Sequence, residues 1–374
     1  MTVSLTDILP QDYASGRFLG RALSPAGPCV ITLRDGMIVD LTEQVSTVSG
    51  AIARRIFDGG KALGPIEAGL PEGWSLLSPI DLQCVKASGV TFALSAVERV
   101  IEERARGDAT RAAEIRALLE ARVGSGIRSV VPGSAEAMAL KEALIGEGMW
   151  SQYLEVAIGP DAEIFSKSPV LSTVGYGAPI GVRSDSTWNN PEPEVVLICD
   201  PHGEVLGATL GNDVNLRDFE GRSALLLSKA KDNTASCAIG PFIRLFDDSF
   251  TIDDVRQANV DLLIEGKDNY RLEGSNDMSQ ISRDPLDLVS QSLSEHHYPD
   301  GFVLFCGTLF APTQDRDTPG FGFTHKVGDE VTISSTRLGK LTNEVTTSRD
   351  APAWTMGIAG FMRNLAERGL IDRI

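Results

Sequence analysis

Two glutamates, Glu192 and Glu194, flank Pro193 in "WNNPEPEVVLICD" and lead directly into Val195, Val196, Leu197 and Ile198. The β-branched run predicts a strand, and residues two apart on a strand share a face, so both carboxylates point the same way at its entry. Asp213, in "ATLGNDVNLRDFEG", follows a second glycine-flanked run and lies two residues after Gly211. If the fold brings Asp213 beside the glutamates, each carboxylate pair at about 4 Å and an effective dielectric near 20 repels by roughly 4 kcal/mol. The three stay ionised together only if a cation neutralises them; otherwise their pKa values rise. An oxygen-only donor set with no histidine nearby points to Mg²⁺ or Mn²⁺, with Ca²⁺ admissible, rather than Zn²⁺. The same words are also compatible with a solvated turn and a helix cap.

The elements that must hold these groups are legible as two kinds of text. Residues 1 to about 80 read as short strands, with "GPCVITLRDGMIVDLT" a hairpin turning at Arg34-Asp35-Gly36 and "LGPIEAGLPEGWSLLSP" a linker. From about 95 to 123, and again in "SAEAMALKEALIGEGMWSQYLE", apolar residues recur at helical spacing with charge between them. After about 155 the chain turns to short β-type runs such as "VVLIC", "GFVLFCGTLF" and "DEVTISSTRLGKLTNEV", with "DPHGEV" a tight connection between neighbouring strands. No GxGxxG follows a strand and no GxxxxGK[ST] occurs, which removes the main support for a nucleotide-binding fold.

Composition narrows the partners. The chain has 374 residues, with 51 acidic against 34 basic side chains and a formal charge of −17, so nucleic acid and anionic membrane surfaces are poor partners. No apolar run reaches the roughly 18 residues of a membrane helix, and the N-terminus carries no readable targeting signal, so the expected location is the cytoplasm. Five cysteines spread singly fit reduced thiols and exclude a CxxC zinc site.

Five words in order, "PEPEVVL", "GATLGNDVNLRD", "AKDNTASCAIGP", "FCGTLFAP" and "VGDEVTISSTRLGKLTNEV", resemble the fumarylacetoacetate hydrolase superfamily. The resemblance implies an α+β, mostly β fold: a mixed β-roll over residues 81–374, with an inserted helical segment at about 95–150 and a small N-terminal β domain over 1–80. It implies that Glu192, Glu194 and Asp213 hold Mg²⁺, that Lys231, nine residues before Gly240-Pro241, stands at the reacting centre, and that Gly307 and Thr308 bind a substrate carboxylate. Arg217 is expected to pair with that carboxylate or to brace Asp213 and Asp218, and Lys167 to line the pocket. A homodimer or homotetramer is implied as well.

One departure bears on the reaction. Hydrolase members carry G-x-N-Y-x-x-H-x-x-E, whereas this chain has "GVTFALSAVE": Gly89 and Glu98 remain, Phe92 replaces Tyr, and Ser95 replaces the histidine. Serine without a base partner is a poor proton acceptor at neutral pH, so water-dependent C–C cleavage loses its base. The helical stretch and "GVRSDSTWNNPEPE" are instead similar to the 2-keto-3-deoxy-pentonate dehydratases of the superfamily. The expected activity is thus a Mg²⁺-dependent hydro-lyase converting a 2-keto-3-deoxy-D-pentonate to 2,5-dioxopentanoate by β-elimination. Lys231 would stabilise the enolate or act as base, with Glu98 transferring a proton at C3 or at the leaving hydroxyl. Two rivals remain: a hydrolase of an acylpyruvate or 2,4-diketo-3-deoxy sugar acid, with His296 or His297 as substitute base, and a metabolite-binding protein without turnover. His202 and His325 have no carboxylate or thiol near them that suggests catalysis.

Overall fold

The computed structural model describes residues 4–92, 96, 100, 130–308, 312, 314–317 and 322–374. The strand Pro193–Cys199 is buried along its whole length, which is why its sequence is a continuous apolar run rather than an alternation. One face of it, with Val195, Leu197 and Cys199, packs in a core with Leu262, Ile264, Val331, Ile333 and Leu341. The other face, with Val196 and Ile198, packs with Ile239, Ile243, Val303 and Phe305 against Val48, Ala51 and Ile52 of the helix Val48–Arg54.

This strand lies in an eleven-stranded sheet. From one edge the order is Lys61–Pro65, Met37–Asp40, Gly27–Arg34, Phe18–Ser24, Cys237–Leu245, Val205–Asp213, Pro193–Cys199, Phe302–Phe305, Cys84–Gly89 and Glu163–Ser168, with Ser75–Leu76 also paired to Phe18–Ser24. All pairings are antiparallel except that of Phe302–Phe305 with Cys84–Gly89. A second sheet of five strands, Arg271–Asp277, Asn259–Glu265, Glu330–Ser335, Gly339–Thr347 and Ile180–Val182, supplies the opposite wall of the first core.

The expected hairpin is present: Gly27–Arg34 and Met37–Asp40 pair through Asp35 and Gly36, both at positive φ, 50° and 73°, as a tight two-residue turn demands. The first 80 residues do not form a sheet of their own. Their strand Phe18–Ser24 joins Cys237–Leu245, with Phe18 opposite Arg244 and Leu19 opposite Ile243. The stretch read as a linker begins instead as the edge strand Lys61–Pro65 and buries Ile66.

Of the helical segment, residues 130–158 form the helices Ala135–Gly146 and Gln152–Ile158, broken at Glu147-Gly148, where Gly148 takes a positive φ. The earlier helical reading falls largely outside the described residues. The two helices pack with Val90, Ala96 and Val100 in a separate small core. The buried guanidinium of Arg283 donates to the carbonyls of Val156, Gly159 and Asp161, satisfying the end of the second helix and tying this layer to the sheets.

Candidate metal centre and active site

The strands Pro193–Cys199 and Val205–Asp213 are antiparallel neighbours, with Pro193 opposite Asn212 and Glu194 opposite Gly211. This register brings Asp213 to the end of the hairpin where Glu192 and Glu194 lie. The Asp213 amide donates to the Glu192 carbonyl at 3.0 Å, and the Glu192 amide donates to Asn212 Oδ1 at 3.1 Å. Gly211 is required at its place: a Cβ there would meet the Phe305 ring at 2.3 Å and Val196 Cγ2 at 2.6 Å.

The result is a cluster of three carboxylates, Glu192, Glu194 and Asp213, whose nearest oxygens lie within 4.8 Å of one another. All three are buried, at 3%, 1% and 1% exposure, which rules out the solvated-turn reading. Two buried lysines answer them. The Lys231 ammonium bridges Glu192 Oε2 and Asp213 Oδ2, the latter at 3.1 Å. Lys167 Nζ lies 2.7 Å from Asp213 Oδ1 and donates to the carbonyls of Val214 and Lys231. Asp213 Oδ1 nevertheless receives no well-directed hydrogen bond.

Glu194 has no lysine at its oxygens among these contacts; the Gly307 amide donates to its Oε2 at 2.7 Å. Burial, reinforced by Asp213 and Glu192, pushes its carboxyl well above the usual range. Burial alone would lower the Lys231 pKa, but Asp213, Glu192 and Glu220 outweigh it and hold the ammonium protonated.

A narrow cavity of about 20 Å³, room for roughly one water, opens onto this cluster and is lined by Ser88, Gly89, Val90, Glu163, Phe165 and Thr308 besides Glu192, Glu194, Glu220 and Lys231. A larger cleft of about 470 Å³ lies between Arg183, Asp185, Asn233, Arg349 and Trp354, but its Asp185 is paired with Arg183 and it gathers no comparable carboxylate–lysine cluster. Size alone therefore does not choose the site. Five carboxylates (Glu163, Glu192, Glu194, Asp213, Glu220) face two lysines here. That acid excess, the oxygen-only donors and the under-satisfied Asp213 Oδ1 fit a hard divalent cation held by Glu192, Glu194 and Asp213.

The remaining expected residues divide. Thr308 lines the cavity, whereas the Gly307 amide is committed to Glu194. Lys167 does not line the pocket as expected: it is fully buried beneath Asp213, where its charge braces the cluster. Arg217 stacks over the Trp188 ring at 5.4 Å and does not line the cavity. Ser95 and Glu98 lie outside the described residues. His296 is exposed on a loop, stacked on Tyr298, and neither it nor His297 lines the cavity. His325, read as having no carboxylate nearby, has Asp329 at 3.5 Å, four residues along; both are buried beside Arg316.

Glu163, Glu220 and Phe165 were missed by sequence reasoning. Glu163, Phe165 and Lys167 alternate on the strand Glu163–Ser168, so a period-two reading outward from Lys167 puts Glu163 on the same face. Glu220 had no such signal; its carboxylate is held by Asn215 Nδ2 at 2.7 Å.

The sequence pattern of the fumarylacetoacetate (FAA) hydrolase C-terminal family matches residues 157–346, just over half of the chain, and the chain belongs to that family. Among curated proteins it is similar to the "Probable 2-keto-3-deoxyxylonate dehydratase" of Haloferax volcanii, 33% identical over 199 residues, covering 53% of this chain and 65% of that protein. It is also similar to the 2-dehydro-3-deoxy-D-arabinonate dehydratase of Saccharolobus solfataricus, 32% identical over 183 residues, covering 49% of this chain and 58% of that protein. The aligned part is thus less than two thirds of either relative. The fold, α+β and mostly β, is that of a solved 2-keto-3-deoxy-D-arabinonate dehydratase complexed with magnesium and 2,5-dioxopentanoate, at a TM-score of 0.61, 23% identity, and coverage of 88% of this chain and 99% of that one. No helix among the described residues is long and apolar enough to cross a membrane.

Proposed function

We propose that this protein is a Mg²⁺-dependent dehydratase that converts a 2-keto-3-deoxy-D-pentonate to 2,5-dioxopentanoate. The observation that carries the reading is the buried Glu192–Glu194–Asp213 cluster with Lys231 in the same cavity. The names of the two curated relatives, both dehydratases of deoxy-pentonates, support the substrate class.

A divalent cation held by Glu192, Glu194 and Asp213 would supply Lewis-acid polarisation of the C2 carbonyl, which acidifies the C3 protons. The Lys231 ammonium, kept charged by its carboxylate neighbours, donates toward the C2 oxygen as negative charge develops there. Thr308 offers a hydroxyl and an amide for the substrate carboxylate at the cavity wall. Glu163, which lines the same cavity, would take the C3 proton and return it to the departing C4 hydroxyl as water; Glu98 is the other candidate for this transfer. The elimination leaves a C3–C4 double bond, movement of a proton from C5 to C3 turns it into a C4–C5 enol, and transfer of the enol O–H proton to C4 gives the aldehyde, so the net change is loss of one water.

The hydrolase reading needs a water-activating base, and the histidines proposed for it lie on an exposed loop away from the cavity. Incubating the purified protein and Mg²⁺ with 2-keto-3-deoxy-xylonate or -arabinonate, and separately with a 2,4-diketo acid, distinguishes the cases. Dehydratase action yields the semialdehyde of 2-oxoglutarate without pyruvate; pyruvate plus a second acid from the diketo acid would establish the hydrolase, and no product from any substrate a binding protein.

A further inference from the structure

Thr91 is buried in the turn after the strand Cys84–Gly89, a turn in which Val90 takes a φ of 51°, a conformation a β-branched residue seldom adopts. The turn is held in place by the Ser282 amide, which donates to the Thr91 carbonyl at 2.8 Å. The Thr91 hydroxyl donates at 2.6 Å to the carbonyl of Cys306, 215 residues away in sequence. On the other side of that peptide unit the Gly307 amide donates at 2.7 Å to Glu194 Oε2. A trans peptide is rigid and planar, with its C=O and N–H directed oppositely. A donor that fixes the Cys306 carbonyl therefore also aims the Gly307 N–H at Glu194.

Two further features single out this peptide. The Cys306 amide donates to the Val195 carbonyl at 3.0 Å, tying the unit to the strand that bears Glu194. Gly307 lies at φ 97°, and a Cβ there would stand 2.0 Å from Thr91 Oγ1, so the Thr91 hydroxyl leaves no room for a side chain at 307.

We propose that Thr91 is a positioning residue for the metal centre, orienting the carboxylate of Glu194 through the Cys306–Gly307 peptide. This rests on the reading of Glu192, Glu194 and Asp213 as cation ligands. Of the proposed ligands, Glu194 is the one whose oxygen is oriented here by a backbone donor rather than by a lysine. Outer-shell partners of this kind typically alter metal affinity by about 10–100-fold when removed.

The test is Mn²⁺ affinity of the purified protein, read from the free-ion signal by electron paramagnetic resonance, with thermal melts of the same samples in chelator. Thr91→Val keeps the branched volume and removes the hydroxyl; it should weaken Mn²⁺ binding by about 10–100-fold. Thr91→Ser keeps the hydroxyl and should bind within about threefold of the parent protein. If Thr91→Val fails to fold, Thr91→Cys, a far weaker donor of similar size, provides the same comparison. Unchanged Mn²⁺ affinity in Thr91→Val with a lowered melting temperature would reduce Thr91 to a structural role and overturn the proposal. Equal weakening in Thr91→Ser and Thr91→Val would also overturn it, because the hydroxyl would not be the agent. Glu194→Gln separates the two layers: loss of Mn²⁺ binding in it beside normal binding in Thr91→Val rejects the positioning role alone. Normal binding in both rejects the metal centre itself.

Discussion

Burial and two neighbouring carboxylates push the Glu194 carboxyl up, and Glu194→Gln measures what that costs the protein without a cation. The Glu194 oxygens lie within 4.8 Å of those of Glu192 and Asp213, so at an effective dielectric of about 20 each neighbour repels it by roughly 3.5 kcal/mol. The Lys231 ammonium cancels about one such repulsion, leaving roughly 3.5 kcal/mol against the ionised form, to which burial adds its own cost. The sign follows from the raised pKa. Below the ordinary glutamate value of 4.5 the carboxyl is protonated in both folded and unfolded chains and carries no penalty; as pH rises above it, the unfolded chain releases its proton first and stability falls. Glutamine does not titrate, so any fixed cost of burying its amide drops out of a pH comparison. In thermal melts with chelator, the melting temperature of Glu194→Gln minus that of the parent protein should increase between pH 5 and pH 8 by about 3–5 °C, given an unfolding entropy of about 2.1 cal/mol/K per residue. Saturating Mg²⁺ should then restore the parent protein and leave the variant unchanged. A difference that stays flat or falls with pH would show that Glu194 is not crowded by its neighbours, and the electrostatic argument for the cation would fail.

Three other outcomes follow. Lys231→Met strips the ammonium from between Glu192 and Asp213 and should destabilise the chelated protein by about 3–5 kcal/mol in denaturant titration, with Mg²⁺ recovering part of the loss; equal stability would show that the lysine does not balance the cluster. Burial would raise the Asp329 carboxyl, but hydrogen bonds from Arg316 and from the Lys326 amide outweigh it and hold it at about 2, so its contribution is present above the ordinary value of 3.8 and is lost as pH falls toward about 2. Asp329→Asn should therefore remove acid sensitivity in that window while costing about 3–5 kcal/mol at pH 7, because Arg316 is left buried without its closest partner; acid titrations of parent and variant by circular dichroism read both effects. The double variant His296→Ala, His297→Ala should keep full dehydratase turnover in a steady-state assay, since both side chains are exposed away from the cavity.

The carboxylate cluster was legible because its logic is local. Glu192 and Glu194 share a strand face by spacing alone, and the tight "DPHGEV" connection makes the next strand their neighbour, so Asp213 falls at the same end. Lys231 was not legible in that way. "LLLSKAKDN" reads as an exposed helix, and nothing in it separates the buried Lys231 from the exposed Lys229; only the family resemblance did. The pairing of Leu19 with Ile243 joins positions more than two hundred residues apart, and no local pattern encodes such a register, so the first 80 residues looked self-contained. Thr91 was passed over for the same reason, since its partner Cys306 is equally distant and its value lies in a peptide orientation that residue types do not reveal.

The central claim is tested most directly by diffraction from crystals soaked in Mn²⁺ and pyruvate, the simplest 2-keto acid, using the anomalous signal of the metal. The account predicts one dominant peak within about 2.4 Å of an oxygen from each of Glu192, Glu194 and Asp213, with the Lys231 ammonium displaced from between Glu192 and Asp213 and turned toward the keto acid. A peak elsewhere, or no peak with Lys231 still bridging those two carboxylates, would contradict it.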